Sequence, residues 1–181
     1  MTAVVSRKAR FLLGGAIVAV IIVSALAILN SAPRSIVWER DYEKAIQRAQ
    51  AEKKIIIADM FTDWCALCKK MDQETFGDPP MTGQMARKYV WLKLNTETEE
   101  DGKKLQEEFA IMTYPMILLL DSKGQEIDRI NGFLAPQPFK QTVEHHLQNP
   151  ESLGNVRHRV EEAPDSSELR SALGEKYLDR N

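Results

Sequence analysis

The sequence predicts an α/β domain with a mixed central sheet and helices on both faces, preceded by a single N-terminal transmembrane helix. Three observations carry this reading. Helical and strand-like periodicities alternate along the chain and close with a hairpin and a helix, an order that places helices on both faces of a mixed sheet. A run from Phe11 to Leu29 carries no charge and follows the basic cluster Arg7, Lys8 and Arg10. The two cysteines of the chain, Cys65 and Cys68, are separated by two residues just after a β-branched run.

The apolar run FLLGGAIVAVIIVSALAIL is 19 residues long. As a helix it reaches about 28 Å, close to the roughly 30 Å of a bilayer core. The basic flank stays in the cytoplasm, which sends the rest of the chain outward. A cleaved signal peptide is the alternative, with Ala25-Leu26-Ala27 resembling a cleavage site. Either way the following domain lies on the extracytoplasmic side of the inner membrane, where thiols are oxidised. The expected organisation is a cytoplasmic N-terminus over 1–10, a membrane anchor over 11–29 and a linker over 30–40. A globular domain over 41–149 and a polar, partly helical tail over 150–181 follow.

Within the domain, Tyr42, Ala45, Ile46 and Ala49 form one face of a helix over 41–53. Lys54 to Phe61 (KIIIADMF) reads as a buried strand. A helix starts near Trp64 or Cys65 and runs to about Thr75, with Thr62 or Asp63 expected as its cap. Asp78-Pro79-Pro80 breaks the chain before a short helix through Met85 and Ala86. Tyr89 to Leu94 is a second strand, and Glu99 to Phe109 a polar helix. Met116 to Leu120 (MILLL), apolar on both faces, is expected at the centre of the sheet. The turn Asp121-Ser122-Lys123-Gly124 leads to a fourth strand over Glu126 to Ile130, then a helix over Gln137 to Leu147. In the tail, Asp165 to Asp179 has helical character with Asp165 and Glu168 as a capping pair.

Composition narrows the function. With 44% hydrophobic and 28% charged residues and a net charge of −2, the chain is an ordinary globular one without a basic face, so nucleic acid is not an expected partner. The cysteine pair makes a poor staple, because the loop it closes is too short to remove much entropy from the unfolded chain. The pair therefore suggests chemistry. Three residues apart on a helix, the two side chains share a face. Cys65 sits at the helix N-terminus, where a thiolate is favoured, and Cys68 lies one turn further in and should be more buried. Cys65 is then the nucleophile and Cys68 the resolving thiol. Lys69 and Lys70 would support the thiolate and Asp63 oppose it.

Trp64-Cys65-Ala66-Leu67-Cys68-Lys69 behind a buried strand resembles the thioredoxin superfamily. Thr75-Phe76-Gly77-Asp78-Pro79 and Gly132-Phe133 extend the likeness, over roughly Ile55 to Leu147, to the C-terminal periplasmic domain of the DsbD thiol:disulfide interchange proteins. The resemblance implies a thioredoxin fold and disulfide exchange without a cofactor beyond the redox-active Cys65–Cys68 disulfide. It implies that Asp59, six residues before Cys65, is a buried acid relaying a proton to the second cysteine. It implies that Pro115 is a cis-proline presenting backbone to an extended substrate, and that Trp64 forms part of the site's rim. Met116 departs from the threonine common after that proline and leaves substrate preference open. The partners implied are protein thiols and disulfides and a separate membrane electron donor, since a single span cannot itself carry electrons across a bilayer.

Other readings compete. A CxxC supplies two zinc ligands where a structural site needs four, and His145, His146 and His158 lack ligand spacing. A non-catalytic thioredoxin-like binding module would not need intact cysteines, Asp59 and Pro115. Within the redox class a reductase is expected, with an oxidase or isomerase as the alternative.

Overall fold

The computed structural model describes residues 35–178 and 180. Five strands form one sheet: β1 (Trp38–Glu39), β2 (Ile56–Phe61), β3 (Val90–Asn95), β4 (Met116–Leu120) and β5 (Glu126–Asn131), in the order β1-β3-β2-β4-β5. The pairs β1/β3 and β2/β3 are parallel, and β2/β4 and β4/β5 antiparallel, so the sheet is mixed. The helices are α1 (Tyr42–Glu52), α2 (Ala66–Lys70) running on into a π-helical turn (Met71–Thr75), α3 (Pro79–Met85), α4 (Glu100–Glu108), α5 (Pro136–Gln148), α6 (Leu153–Glu162) and α7 (Ser167–Leu178).

Alternation along the strands divides the core into two layers. Ile56, Ala58 and Met60 of β2 pack with Leu92, Leu118, Ala45 and Ala49 of α1 and Leu105 of α4. Ile57, Trp91, Ile117 and Leu119 face the opposite way, onto Met71, Met81, Met85, Phe139 and Val143. Asp59 and Lys93 share the parity of Ile57 and Trp91. Two charged residues therefore lie on the face covered by α2 and its π turn, directly opposite each other in the β2/β3 register.

Several expectations are revised. The middle strand is β2, not Met116–Leu120, which lies next to it; both are covered on two faces, so apolarity alone does not rank them. Residues 30–40, read as a linker, end in a strand: Trp38 and Glu39 pair with Trp91 and Leu92 at the sheet edge. Two residues are too short a run to show strand periodicity. The tail holds two helices instead of one. α6 buries Leu153 and Val156, and its Gly154 lies so close to Ile127 that a Cβ would stand 2.9 Å from that residue's Cα. α7 buries nothing, and the Leu169 N–H is accepted by Ser166 Oγ at 3.3 Å, so Ser166 takes the place given to Asp165 and Glu168. The segment 11–29 lies outside the described residues; among those described, no helix is long and apolar enough to cross a membrane.

Candidate active site

β2 ends at Phe61, and the chain turns through Thr62 and Asp63 into Cys65, whose N–H donates to Thr62 O at 3.2 Å. Cys65 is itself the N-cap of α2: its Sγ accepts the Cys68 N–H at 3.0 Å. Neither expected cap acts. Asp63 accepts instead from Asn95 Nδ2 at 3.0 Å, which draws its carboxylate toward β3. The two cysteines form a disulfide. They are buried almost equally, 4% and 3% exposed, so the expected difference in burial is absent while the sulfurs are bonded in one crevice. What distinguishes them is the backbone: an amide points at Cys65 Sγ, a contact that favours thiolate on that sulfur once the bond opens.

Asp59 is 1% exposed. Its Oδ2 accepts from Lys93 Nζ at 2.5 Å, and its Oδ1 has no partner. Burial pushes the Asp59 carboxyl above the ordinary carboxylate value, with the Lys93 ammonium pulling the other way without cancelling it. Lys93 Nζ also donates to Asp72 Oδ1 at 2.5 Å. Aromatic rings crowd the same ammonium, with Phe61 at 4.7 Å, Trp38 at 5.3 Å and Phe76 at 5.8 Å. Sequence reasoning missed Lys93, Asp72 and Trp38. The available signal was a lone lysine inside YVWLKL, since a lysine in a buried strand demands an opposite charge.

Trp64 is 66% exposed, and its indole N–H donates to Glu97 Oε1 at 2.9 Å. Its ring meets Tyr114 edge-on at 5.9 Å, and the Tyr114 hydroxyl is 2.7 Å from Thr96 Oγ1. The Tyr114–Pro115 peptide bond is cis. Pro115 has no N–H, and its carbonyl already accepts the Gly132 N–H at 2.9 Å. Gly132 takes φ +84°, a region a side chain disfavours, and Phe133 lies under Lys70 Nζ at 4.4 Å. In the TFGDP stretch, Thr75 Oγ1 donates to Leu134 O at 2.5 Å and Asp78 caps α3 through the Met81 N–H at 2.8 Å. Among the described residues, no group of three or more His, Cys, Asp or Glu is placed to hold a metal.

A disulfide at a helix start, a buried acid under that helix and a cis-proline loop beside a tryptophan form an arrangement suited to thiol–disulfide exchange. Fold and site define the class of thiol–disulfide oxidoreductases with a thioredoxin fold. The chain belongs to the thioredoxin-like domain family, whose model matches residues 42–147. It is 31% identical over 102 residues to the thiol:disulfide interchange protein DsbD of Pseudoalteromonas atlantica, covering 55% of this chain and 17% of that protein. Against DsbD of Yersinia pestis the identity is 34% over 103 residues, covering 56% and 17%. The chain thus matches less than a fifth of the length of these relatives. A solution structure from Bacteroides thetaiotaomicron superimposes with a TM-score of 0.57 at 26% identity, over 66% of this chain and 98% of that one. The oxidised DsbD C-terminal domain of Neisseria meningitidis gives 0.52 at 21% identity, over 61% and 99%, and shares the fold.

Proposed function

We propose that the protein is a membrane-anchored, extracytoplasmic reductase of protein disulfides that works by dithiol–disulfide exchange. The observation that carries this reading is the Cys65–Cys68 disulfide at the start of α2, with the Cys68 N–H on Cys65 Sγ. In the reducing cycle the Cys65 thiolate attacks a substrate disulfide and forms a mixed disulfide. Cys68, deprotonated by Asp59, attacks Cys65 Sγ, releases the substrate thiol and closes the internal disulfide. A separate membrane protein then returns two electrons to the pair. Trp64 and Tyr114 form the rim on which the substrate chain lies, with Pro115 fixing the loop. The likeness to DsbD proteins favours the reducing direction.

The anchor is residues 11–29 and the domain faces the periplasm, on the strength of the Arg7, Lys8 and Arg10 flank and the uncharged run behind it. Equilibration of the cysteine pair with glutathione buffers tests the direction. A potential near that of thioredoxin, about −270 mV, fits a reductase; one near about −120 mV makes the protein an oxidase. Alkaline phosphatase fused after Asn181 tests the topology: an active fusion fits a periplasmic domain, and an inactive one at normal expression overturns it.

A further inference from the structure

Asp59 faces a problem of proton supply. When an incoming thiolate reduces the internal disulfide, its sulfur bonds to Cys65, the S–S bond breaks, and Cys68 leaves as a thiolate. That thiolate takes a proton from the Asp59 carboxyl. Asp59 is then a carboxylate at 1% exposure, and it must be reprotonated from water that it does not touch.

The structure offers one continuous set of polar contacts outward. Lys93 Nζ stands 2.5 Å from Asp59 Oδ2 on β2 and 2.5 Å from Asp72 Oδ1 in the π turn. The Lys93 side chain is 10% exposed, whereas that of Asp72 is 42% exposed. Phe61, Trp38 and Phe76 surround the ammonium at 4.7–5.8 Å. A simple buried ion pair needs a single carboxylate. Here one ammonium is shared between an acid sealed in the core and an acid in water. Trp38, one wall of this cage, lies outside residues 42–147, the span that the family model matches. The other charge acting on Asp59 is Arg40, which lies over the Phe61 ring at 5.4 Å and is paired with Glu99 at 2.6 Å.

We propose that Asp72 is the solvent end of a proton path, Asp72–Lys93–Asp59, that recharges the buried acid in each cycle. The proposal rests on the reading of Asp59 as the proton donor to Cys68. An acid in solution protonates Asp72; Lys93 passes one proton to Asp59 and takes one from Asp72. The lysine is an ammonium before and after, no electrons move, and one proton enters for each Cys68 thiol formed. In the oxidising direction the same steps run outward. Asp72 and Lys93 act through Asp59 and are positioning residues.

The test is chemical rescue in the full chain. Repeated reduction of the oxidised protein by a small thiol, with a disulfide substrate returning it to the oxidised form, is followed across pH 6–9, with and without formate. Asp72→Ala is expected to slow the step by about 10²-fold at alkaline pH, the low end for losing a positioned acid–base group. Formate, diffusing into the vacated space, should restore the rate saturably. Asp72→Asn should be slow too, with little rescue because its side chain still fills the site. Asp59→Asn should be slow without rescue. Wild-type rates in Asp72→Ala overturn the path. A slowed Asp72→Ala that formate does not restore, with only a displaced pH profile, also overturns it and leaves Asp72 a purely electrostatic neighbour. Mixed-disulfide trapping by Cys68→Ser does not require the path. If that variant traps and Asp72→Ala is unaffected, the path alone falls; if it traps nothing, the oxidoreductase reading falls with it.

Discussion

Cys65 Sγ accepts the backbone N–H of Cys68 at 3.0 Å, so the first cysteine caps the helix that carries the second. With the two side chains equally buried in the disulfide form, this contact and the chain direction separate their roles. Cys68→Ser leaves a capped, activated Cys65 with no internal resolving thiol. It is expected to accumulate mixed disulfides, visible as reducible high-mass bands on non-reducing gels. Cys65→Ser should trap far less. Equal trapping by both variants removes the role assignment.

The pKa of Asp59 ties stability to pH. Its folded value is raised above the ordinary 3.8, chiefly by burial. The folded state therefore binds more protons than the unfolded one between those two values, and the native protein loses stability as pH rises through the raised value. Asp59→Asn removes that loss. The variant is expected to match the native protein's stability trend below about pH 4 and to gain relative to it above, the gain levelling off once pH passes the raised value. Parallel urea unfolding curves from pH 4 to 9 check this. A difference that does not grow with pH rules out an ionisation cost at Asp59.

Trp38 meets Phe76 edge-to-face at 5.0 Å and Trp91 edge-to-face at 5.5 Å, in addition to facing Lys93. Trp38→Ala is expected to lower stability by about 3 kcal/mol, the low end for a large aromatic removed from a packed cluster. A chain beginning at residue 41 should show the same loss against one beginning at residue 35. Equal denaturation midpoints for the two would mean that β1 adds nothing.

Gly132 holds φ +84° with open space where a Cβ would go, and its N–H anchors the Pro115 carbonyl. Gly132→Ala is expected to cost about 1–2 kcal/mol from backbone conformation alone. Because the anchored loop is the proposed substrate rim, KM for a protein disulfide should rise more than kcat falls. Unchanged KM at reduced stability would detach this glycine from recognition.

The two tail helices differ in what they bury. Arg180 pairs with Glu126 at 3.0 Å and Asp128 at 2.8 Å, yet α7 itself buries no residue. Deletion from residue 151 exposes the sites of Leu153 and Val156 as well. It should destabilise the domain more than deletion from residue 164, by at least about 3 kcal/mol for two buried aliphatic side chains. Thermal or denaturant unfolding of the two truncations measures the difference.

The sequence alone determined whatever depends on local pattern. The α1 face, the β-branched β2, the DPP break before α3 and the DSKG turn before β5 each follow from periodicity or turn chemistry within a short window. The CxxC pair placed the reactive residues for the same reason, since helical spacing makes neighbours three apart share a face. Tertiary structure decided what depends on residues distant in the chain. Lys93 and Asp72 become one site with Asp59 only because β3 lies beside β2 in register and the π turn crosses above them. Trp38 joins the cage only through two residues of parallel pairing, too few to leave a period in the sequence. The Pro115 carbonyl is taken by Gly132 because β4 and β5 pair antiparallel, a relation across the sheet that the residues around Pro115 do not show by themselves. Buried charge needs a partner, but the chain shows only the charge; packing selects the partner.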